Sequence, residues 1–177
     1  MNPTRRYYVI LLLLVFLFSA PGLSAYYLYF HPHWLNGATT NRGQFIRPPQ
    51  VINALGADSK WRLILWSPLV CDAPCMIQLD KLARIRVALG RRLYDVDAGL
   101  MQGANAGPIS LAVATLLRSH GMFSVMLPAV ESKHLSGLYR QPQLFIANPD
   151  RYLVLAYPVS AEPDDVFRDI KQLLTKG

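Results

Sequence analysis

The sequence predicts an α/β domain, a mixed sheet flanked by helices, preceded by a single transmembrane helix. Three observations predict it. A stretch of 24 residues, Tyr7 to Phe30, carries no charge. From Trp61 onward, short β-rich runs alternate with stretches at helical spacing, the pattern of a sheet covered by helices. Near the C-terminus two strand-like runs are separated only by a turn, so that pair is antiparallel and the sheet is mixed.

The uncharged stretch is apolar on every side. Tyr8-Val-Ile-Leu-Leu-Leu-Leu-Val-Phe-Leu-Phe18 has no polar face, which suits lipid rather than a half-buried helix. About 20 apolar residues span a bilayer. Tyr7 and Tyr8 flank one end and Tyr26, Tyr27 and Tyr29 the other, where ring side chains sit at headgroup level. Arg5 and Arg6 abut the N-terminal end and the next charge is Arg42. The positive-inside rule therefore puts the N-terminus in the cytoplasm and everything after Phe30 outside. In a Gram-negative cell this is a single-pass inner-membrane protein with a periplasmic C-terminal domain. The rival reading is a cleaved signal peptide, since Ser19-Ala20-Pro21-Gly22-Leu23-Ser24-Ala25 offers small residues. The apolar character resumes at Tyr26, which a signal peptide does not need.

The expected division is anchor and cytoplasmic N-terminus at 1–30, connector at 31–60, and an extracytoplasmic domain at 61–177. The chain is 52% hydrophobic and 16% charged, against about 25% charged in an ordinary soluble domain. That composition disfavours disorder, and 177 residues leave no room for a two-domain enzyme beside the anchor. Setting Arg5 and Arg6 aside, the net charge of +7 falls to +5. A basic exported domain suits anionic lipid or an acidic partner face, not nucleic acid.

The elements follow in order. Residues 31–60, with Asn41-Arg42-Gly43 and Pro48-Pro49, show no sustained period and read as connector. Trp61-Arg-Leu-Ile-Leu-Trp66 is a buried strand. Pro74 suits a first helical turn; Leu79, Leu82, Ile85 and Leu89 then repeat at helical spacing until Gly90 stops the helix. Leu93 to Leu100 reads as a strand, Gly103 to Pro108 as a loop, Ile109 to His120 as a helix and Phe123 to Leu127 as a strand. Residues 128–141 read as loop. Gln143-Leu-Phe-Ile-Ala147 and Tyr152-Leu-Val-Leu-Ala156 form a hairpin around Asn148-Pro149-Asp150-Arg151. Glu162-Pro163-Asp164-Asp165 opens a last helix to about Leu174, its acids at the positive end of the dipole.

The chain has two cysteines, Cys71 and Cys75, and both lie at the junction of the first core strand and its helix. A helix N-terminus stabilises a thiolate, which is both the nucleophile and the metal ligand. At this spacing the pair can form a disulfide or hold a soft ion such as Cu(I). The alternative is a structural disulfide, as exported domains commonly carry.

Trp61–Ser67, Cys71-Asp-Ala-Pro-Cys75 and the helix that follows resemble the Sco/SenC family of membrane-anchored, thioredoxin-like proteins. Short anchored proteins encoded beside bacterial oxidase genes are similar also at Thr39-Thr40-Asn41-Arg42-Gly43, Pro48-Pro49 and Ile85-Arg86-Val-Ala-Leu-Gly90. The resemblance implies a thioredoxin-like fold and a role in cytochrome c oxidase assembly, by Cu(I) handling or thiol–disulfide exchange. The partner it implies is an oxidase subunit or another copper or thiol protein. It also implies a distal copper-binding histidine. The equivalent position falls near Arg140, and His134 lies six residues upstream of it; His134 is thus the candidate third ligand beside Cys71 and Cys75. Gln141-Pro142-Gln143 resembles the segment of thioredoxins in which a cis proline packs beside the active disulfide, making Pro142 a candidate site residue with the two cysteines. A trans proline at a strand start is the alternative.

Other candidates have simpler explanations. His31 and His33 suit a polar flank of the anchor, and His120 a helix C-terminus. Met76, Met122 and Met126 suit the core, though soft copper ligands are of this type. Asp72, between the cysteines, can tune or oppose thiolate formation. Asp164 and Asp165 suit a helix start. Two function classes follow: a thiol-exchange or copper-handling protein, and a non-catalytic accessory protein whose cysteines form a structural bridge.

Overall fold

The computed structural model describes residues 3–31 and 41–176. His33, Thr39 and Thr40, named above, lie outside them. The chain divides into two compact units, Met1–Thr40 and Asn41–Gly177.

Among the described residues the first unit holds one helix, α1 (Pro3–Phe30). At 1.5 Å per residue its 28 residues extend about 42 Å, and Arg5–Phe30 is long and apolar enough to cross a membrane. The helix runs through Pro21 and Gly22. Ser24 Oγ donates to Ala20 O at 2.7 Å, and His31 follows the last turn, its Nδ1 3.1 Å from Tyr27 O.

The second unit is a six-stranded sheet in the order β1-β6-β5-β2-β3-β4. The strands are β1 (Gln44–Val51), β2 (Trp61–Ser67), β3 (Val96–Gln102), β4 (Phe123–Met126), β5 (Gln143–Ala147) and β6 (Tyr152–Pro158). β2 pairs parallel with β3, and β3 with β4; β5 is antiparallel to β2 and to β6, and β1 antiparallel to β6. The sheet is mixed, as expected, and helices cover both faces. α2 (Ala73–Ala88), α3 (Leu111–Ser119) and α5 (Pro163–Lys176) share one core layer with Leu63, Leu65, Leu144 and Ile146. α4 (Ala129–Leu138) buries Leu135 in the other layer with Ile64, Trp66 and Phe145. Successive β2 residues thus alternate between layers, and burial on both faces makes the strand read as one apolar run. Full burial of a side chain such as Leu63 contributes about 1.5–3 kcal/mol.

The structure corrects the sequence reading at three elements. Gln44–Val51, inside the stretch read as connector, is the edge strand β1. Prolines are tolerated at a sheet edge, where the missing N–H leaves no ladder bond unmade. Residues 128–141, read as loop, contain α4. Leu93 to Asp95 lie in a 3₁₀ turn (Gly90–Asp95), so the strand starts at Val96. Gly90 adopts φ 60°, the conformation glycine permits at a helix end.

Candidate functional site

β2 delivers the chain to the cysteine loop. Ser67 Oγ donates to Leu69 O at 2.9 Å, and Gly103 N to Ser67 O at 3.0 Å. Gly103 packs so closely on Pro68 that a Cβ there would lie 2.6 Å from the Pro68 carbonyl oxygen. The loop is thereby pinned to the end of β3. Asp72 is the N-cap of α2: its Oδ1 accepts the Cys75 N–H at 3.2 Å, and its carbonyl accepts Met76 N–H at 3.0 Å. Pro74 lies in the first turn, where its missing N–H is not needed. The sequence signal for this cap is an acid followed two residues later by proline.

Cys71 and Cys75 form a disulfide, with Cα atoms 5.2 Å apart. Both residues are 6% exposed, so exposure does not rank one sulfur above the other for attack. They close the core layer of α2, α3 and α5 at its edge. Leu69 and Val70, immediately before Cys71, are exposed, as is Ile77 on α2. A cleft of about 590 Å³ runs between α2 and α3, with Ala73, Met76, Ile77, Ala112 and Leu116 on its walls.

Pro142 sits beside this end of the sheet, because Gln143 is the register partner of Trp66. The cis expectation fails: among the described residues the cis bond is Arg47–Pro48, and Gln141–Pro142 is trans. Pro142 is exposed ahead of β5, and a trans proline is permitted there because a residue before the strand owes no N–H to the ladder.

The structure does not bring His134 to the cysteines. α4 lies on the opposite face of the sheet, and His134 Nε2 is 2.7 Å from Gln50 Oε1 of β1. Among the described residues no three His, Cys, Asp or Glu side chains cluster as a metal site. The donor set at the junction is therefore two sulfurs. Once reduced, it fits Cu(I), which accepts two soft thiolates.

The remaining candidates have structural surroundings. His120 is the C-cap of α3, with Nε2 4.0 Å from Asp80. Met122 is buried and Met76 packs on the same layer, while Met126 is exposed at the end of β4. Asp164 and Asp165 open α5, and Asp165 lies 3.7 Å from Arg42.

One polar cluster escaped the sequence reading. Asp169 of α5, 1% exposed, accepts from Tyr157 Oη at 2.6 Å and from the backbone N–H groups of Arg42 and Gly43 at 2.8 and 2.9 Å, all at Oδ2. Its Oδ1 is buried without a partner. Burial, then the Asp169 hydrogen bond and charge, hold the Tyr157 hydroxyl well above the usual tyrosine range. Burial also raises Tyr139. Lys81 is lowered by burial, against the pull of Glu162; its Nζ donates to Val159 O and Ala161 O, tying α2 to the segment before α5.

A family described as a transmembrane-like, thioredoxin-like, C-terminal domain matches residues 61–176. Solved structures of the same fold include copper-bound ScoI of Arabidopsis thaliana, with TM-score 0.54 and 13% identity over 68% of this chain and 88% of that one. Apo Sco1 of Thermus thermophilus has TM-score 0.54 and 15% identity over 76% and 97%. Copper-bound yeast Sco1 has TM-score 0.52 and 15% identity over 67% and 80%. No curated protein matches the sequence.

Proposed function

This chain belongs to the family of transmembrane-like, thioredoxin-like C-terminal domains, and from that premise we propose that it is a membrane-anchored protein of thiol–disulfide exchange. The observation that carries the reading is the Cys71–Cys75 disulfide at the start of a helix in a thioredoxin-like fold. α1 serves as an uncleaved anchor with Arg5 and Arg6 on the cytoplasmic side, and the thioredoxin-like domain, residues 61–177 extended by β1, works on the far side.

In the exchange, a partner thiolate attacks one sulfur and the Cys71–Cys75 bond breaks. A mixed disulfide forms and the released protein sulfur leaves as a thiolate, which takes a proton from water. A second partner thiolate then attacks the mixed disulfide. Two partner thiols end as a disulfide and the protein pair ends reduced. In the reverse direction the reduced pair, recharged by a thiol reductant, reduces a partner disulfide, with Cys71 as the attacking thiolate and Cys75 resolving. Pro142 flanks the docking side. The natural partner in this reading is the cysteine ligand pair of a copper protein, as in cytochrome c oxidase assembly. Support comes from the fold shared with copper-bound Sco structures. The reduced pair also offers two thiolates to Cu(I) as cargo, and His134, held by Gln50, would have to move to join them.

The test is anaerobic Cu(I) titration and thiol-exchange kinetics on the full chain, wild type against Cys71→Ser and Cys75→Ser, beside oxidase activity and copper content in cells. Loss of exchange and a fall in oxidase activity in both variants is the expected result. Wild-type oxidase activity and copper content in both variants defeats the assembly role.

A second reading has an observation of its own: both cysteines are buried at the edge of the core. A structural bridge in a non-catalytic accessory protein has a reduction potential below about −300 mV. A measured value near the thioredoxin range, about −270 mV or higher, favours exchange.

A further inference from the structure

Resting on the exchange reading, we infer that the Asp72 carboxylate selects the thiol that attacks the disulfide, favouring cysteines set among cationic groups over those set among anionic ones. Asp72 stands between the two bonded cysteines and is exposed, while both cysteines are nearly closed to solvent. A thiolate that reaches either sulfur therefore approaches the short loop that carries this carboxylate. Among the described residues no Lys, Arg or His nitrogen lies within 4.0 Å of it to neutralise the charge. Its position is fixed rather than free, because Oδ1 caps α2 by accepting the Cys75 N–H at 3.2 Å. The approach around it is apolar: Leu69 and Val70 precede Cys71 and are exposed, and Ile77 is exposed one turn into α2.

The attacking species is always a thiolate, so a fixed carboxylate slows it. The size of the effect depends on what other charge the attacker carries. Two unit charges about 6 Å apart in water interact strongly enough to change a rate about threefold. A thiolate whose molecule carries a cation arrives with no net charge and escapes the penalty. One that carries a second anion meets it twice. The partner class this favours is a protein whose reactive cysteine is flanked by lysine or arginine in an otherwise apolar segment.

Asn caps a helix as well as Asp does, so Asp72→Asn removes the charge and keeps the cap. The experiment reduces the disulfide of the full chain, in neutral-detergent micelles, with cysteamine, 2-mercaptoethanol or 3-mercaptopropionate. Rates are normalised to thiolate concentration. Their thiolate forms carry net charges of about 0, −1 and −2, in that order. The ratio of Asp72→Asn to wild-type rate is expected to be about 1, 3 and 10 in that order, and to shrink with added salt. Comparing variants thiol by thiol cancels each thiol's own nucleophilicity. Asp72→Ala separates the cap from the charge: the same graded ratios are expected, with a loss of stability that Asp72→Asn does not show. One ratio common to all three thiols overturns the selection by charge. A disulfide that none of the three reduces, in wild type or variant, overturns the exchange reading itself and this inference with it.

Discussion

Replacing Tyr157 by phenylalanine removes one hydroxyl and nothing else from the interior. That hydroxyl donates to Asp169 Oδ2 at 2.6 Å, and a hydrogen bond to a charged group contributes about 1.5–3 kcal/mol. The other carboxylate oxygen is already buried without a partner, so the loss is not absorbed locally. Tyr157→Phe is therefore expected to cost about 1.5–3 kcal/mol at pH 8. The pH dependence is a sharper test. Unfolded, Tyr157 ionises near pH 10. Folded, burial and the neighbouring Asp169 keep it neutral to higher pH. Above pH 10 the unfolded state thus binds fewer protons, so stability that is fully present below pH 10 is lost as the pH rises. At pH 11 this loss is about 1.4 kcal/mol. It is absent in Tyr157→Phe, while Tyr139 and Lys81 titrate alike in both proteins. Urea unfolding of the full chain in neutral-detergent micelles, followed by tryptophan fluorescence, to which buried Trp66 contributes, measures both quantities. The gap between wild type and variant should shrink by about 1.4 kcal/mol from pH 8 to pH 11. No gap at pH 8 refutes the role given to the hydrogen bond; an unchanged gap at pH 11 refutes the account of the pH dependence.

Reducing the disulfide should cost little, because residues four apart in sequence close a short loop. The chain-entropy relation gives about 2 kcal/mol, readable as the shift of the urea midpoint when a reductant is added. A loss well above about 4 kcal/mol would mark the bond as structural and weaken the exchange reading. Gly99→Ala should destabilise the sheet, because a Cβ there would lie 2.5 Å from the backbone carbonyl oxygen of Phe123 on β4. Backbone cannot swing aside as a side chain can, so the expected cost is about 1–3 kcal/mol, measured by thermal unfolding; an unchanged Tm contradicts the close approach.

Local physics was legible wherever the local signal was strong. α2 was readable at both ends: Pro74 and the spacing of Leu79, Leu82 and Ile85 mark its course, and Gly90 its stop. The hairpin was readable from Asn148-Pro149-Asp150-Arg151 between two apolar runs, and the structure pairs β5 with β6 as expected. α4 was not readable, because its buried positions include Ser132 beside Leu135 while Val130 and Leu138 face outward. Its apolar residues therefore do not trace a buried stripe. β1 was hidden by Pro48 and Pro49, which argue against a strand anywhere except at an edge. The edge position follows from pairing with β6, more than 100 residues away in sequence.

The same division holds for the site. By itself the sequence determined the long apolar helix, the α/β alternation and the placing of both cysteines at one strand-to-helix junction. These depend on period, capping and spacing over a few residues, which neighbours along the chain decide. Only the tertiary structure decided that α4 packs on the face opposite α2, which holds His134 away from the cysteines. It also decided that Gln141–Pro142 is trans, and that Asp169 gathers Tyr157 and the backbone of Arg42 and Gly43 from 127 and 126 residues away. Such facts depend on which strands pair and which layer each helix covers. That choice is made by burial summed over the whole sheet, and no single segment carries it.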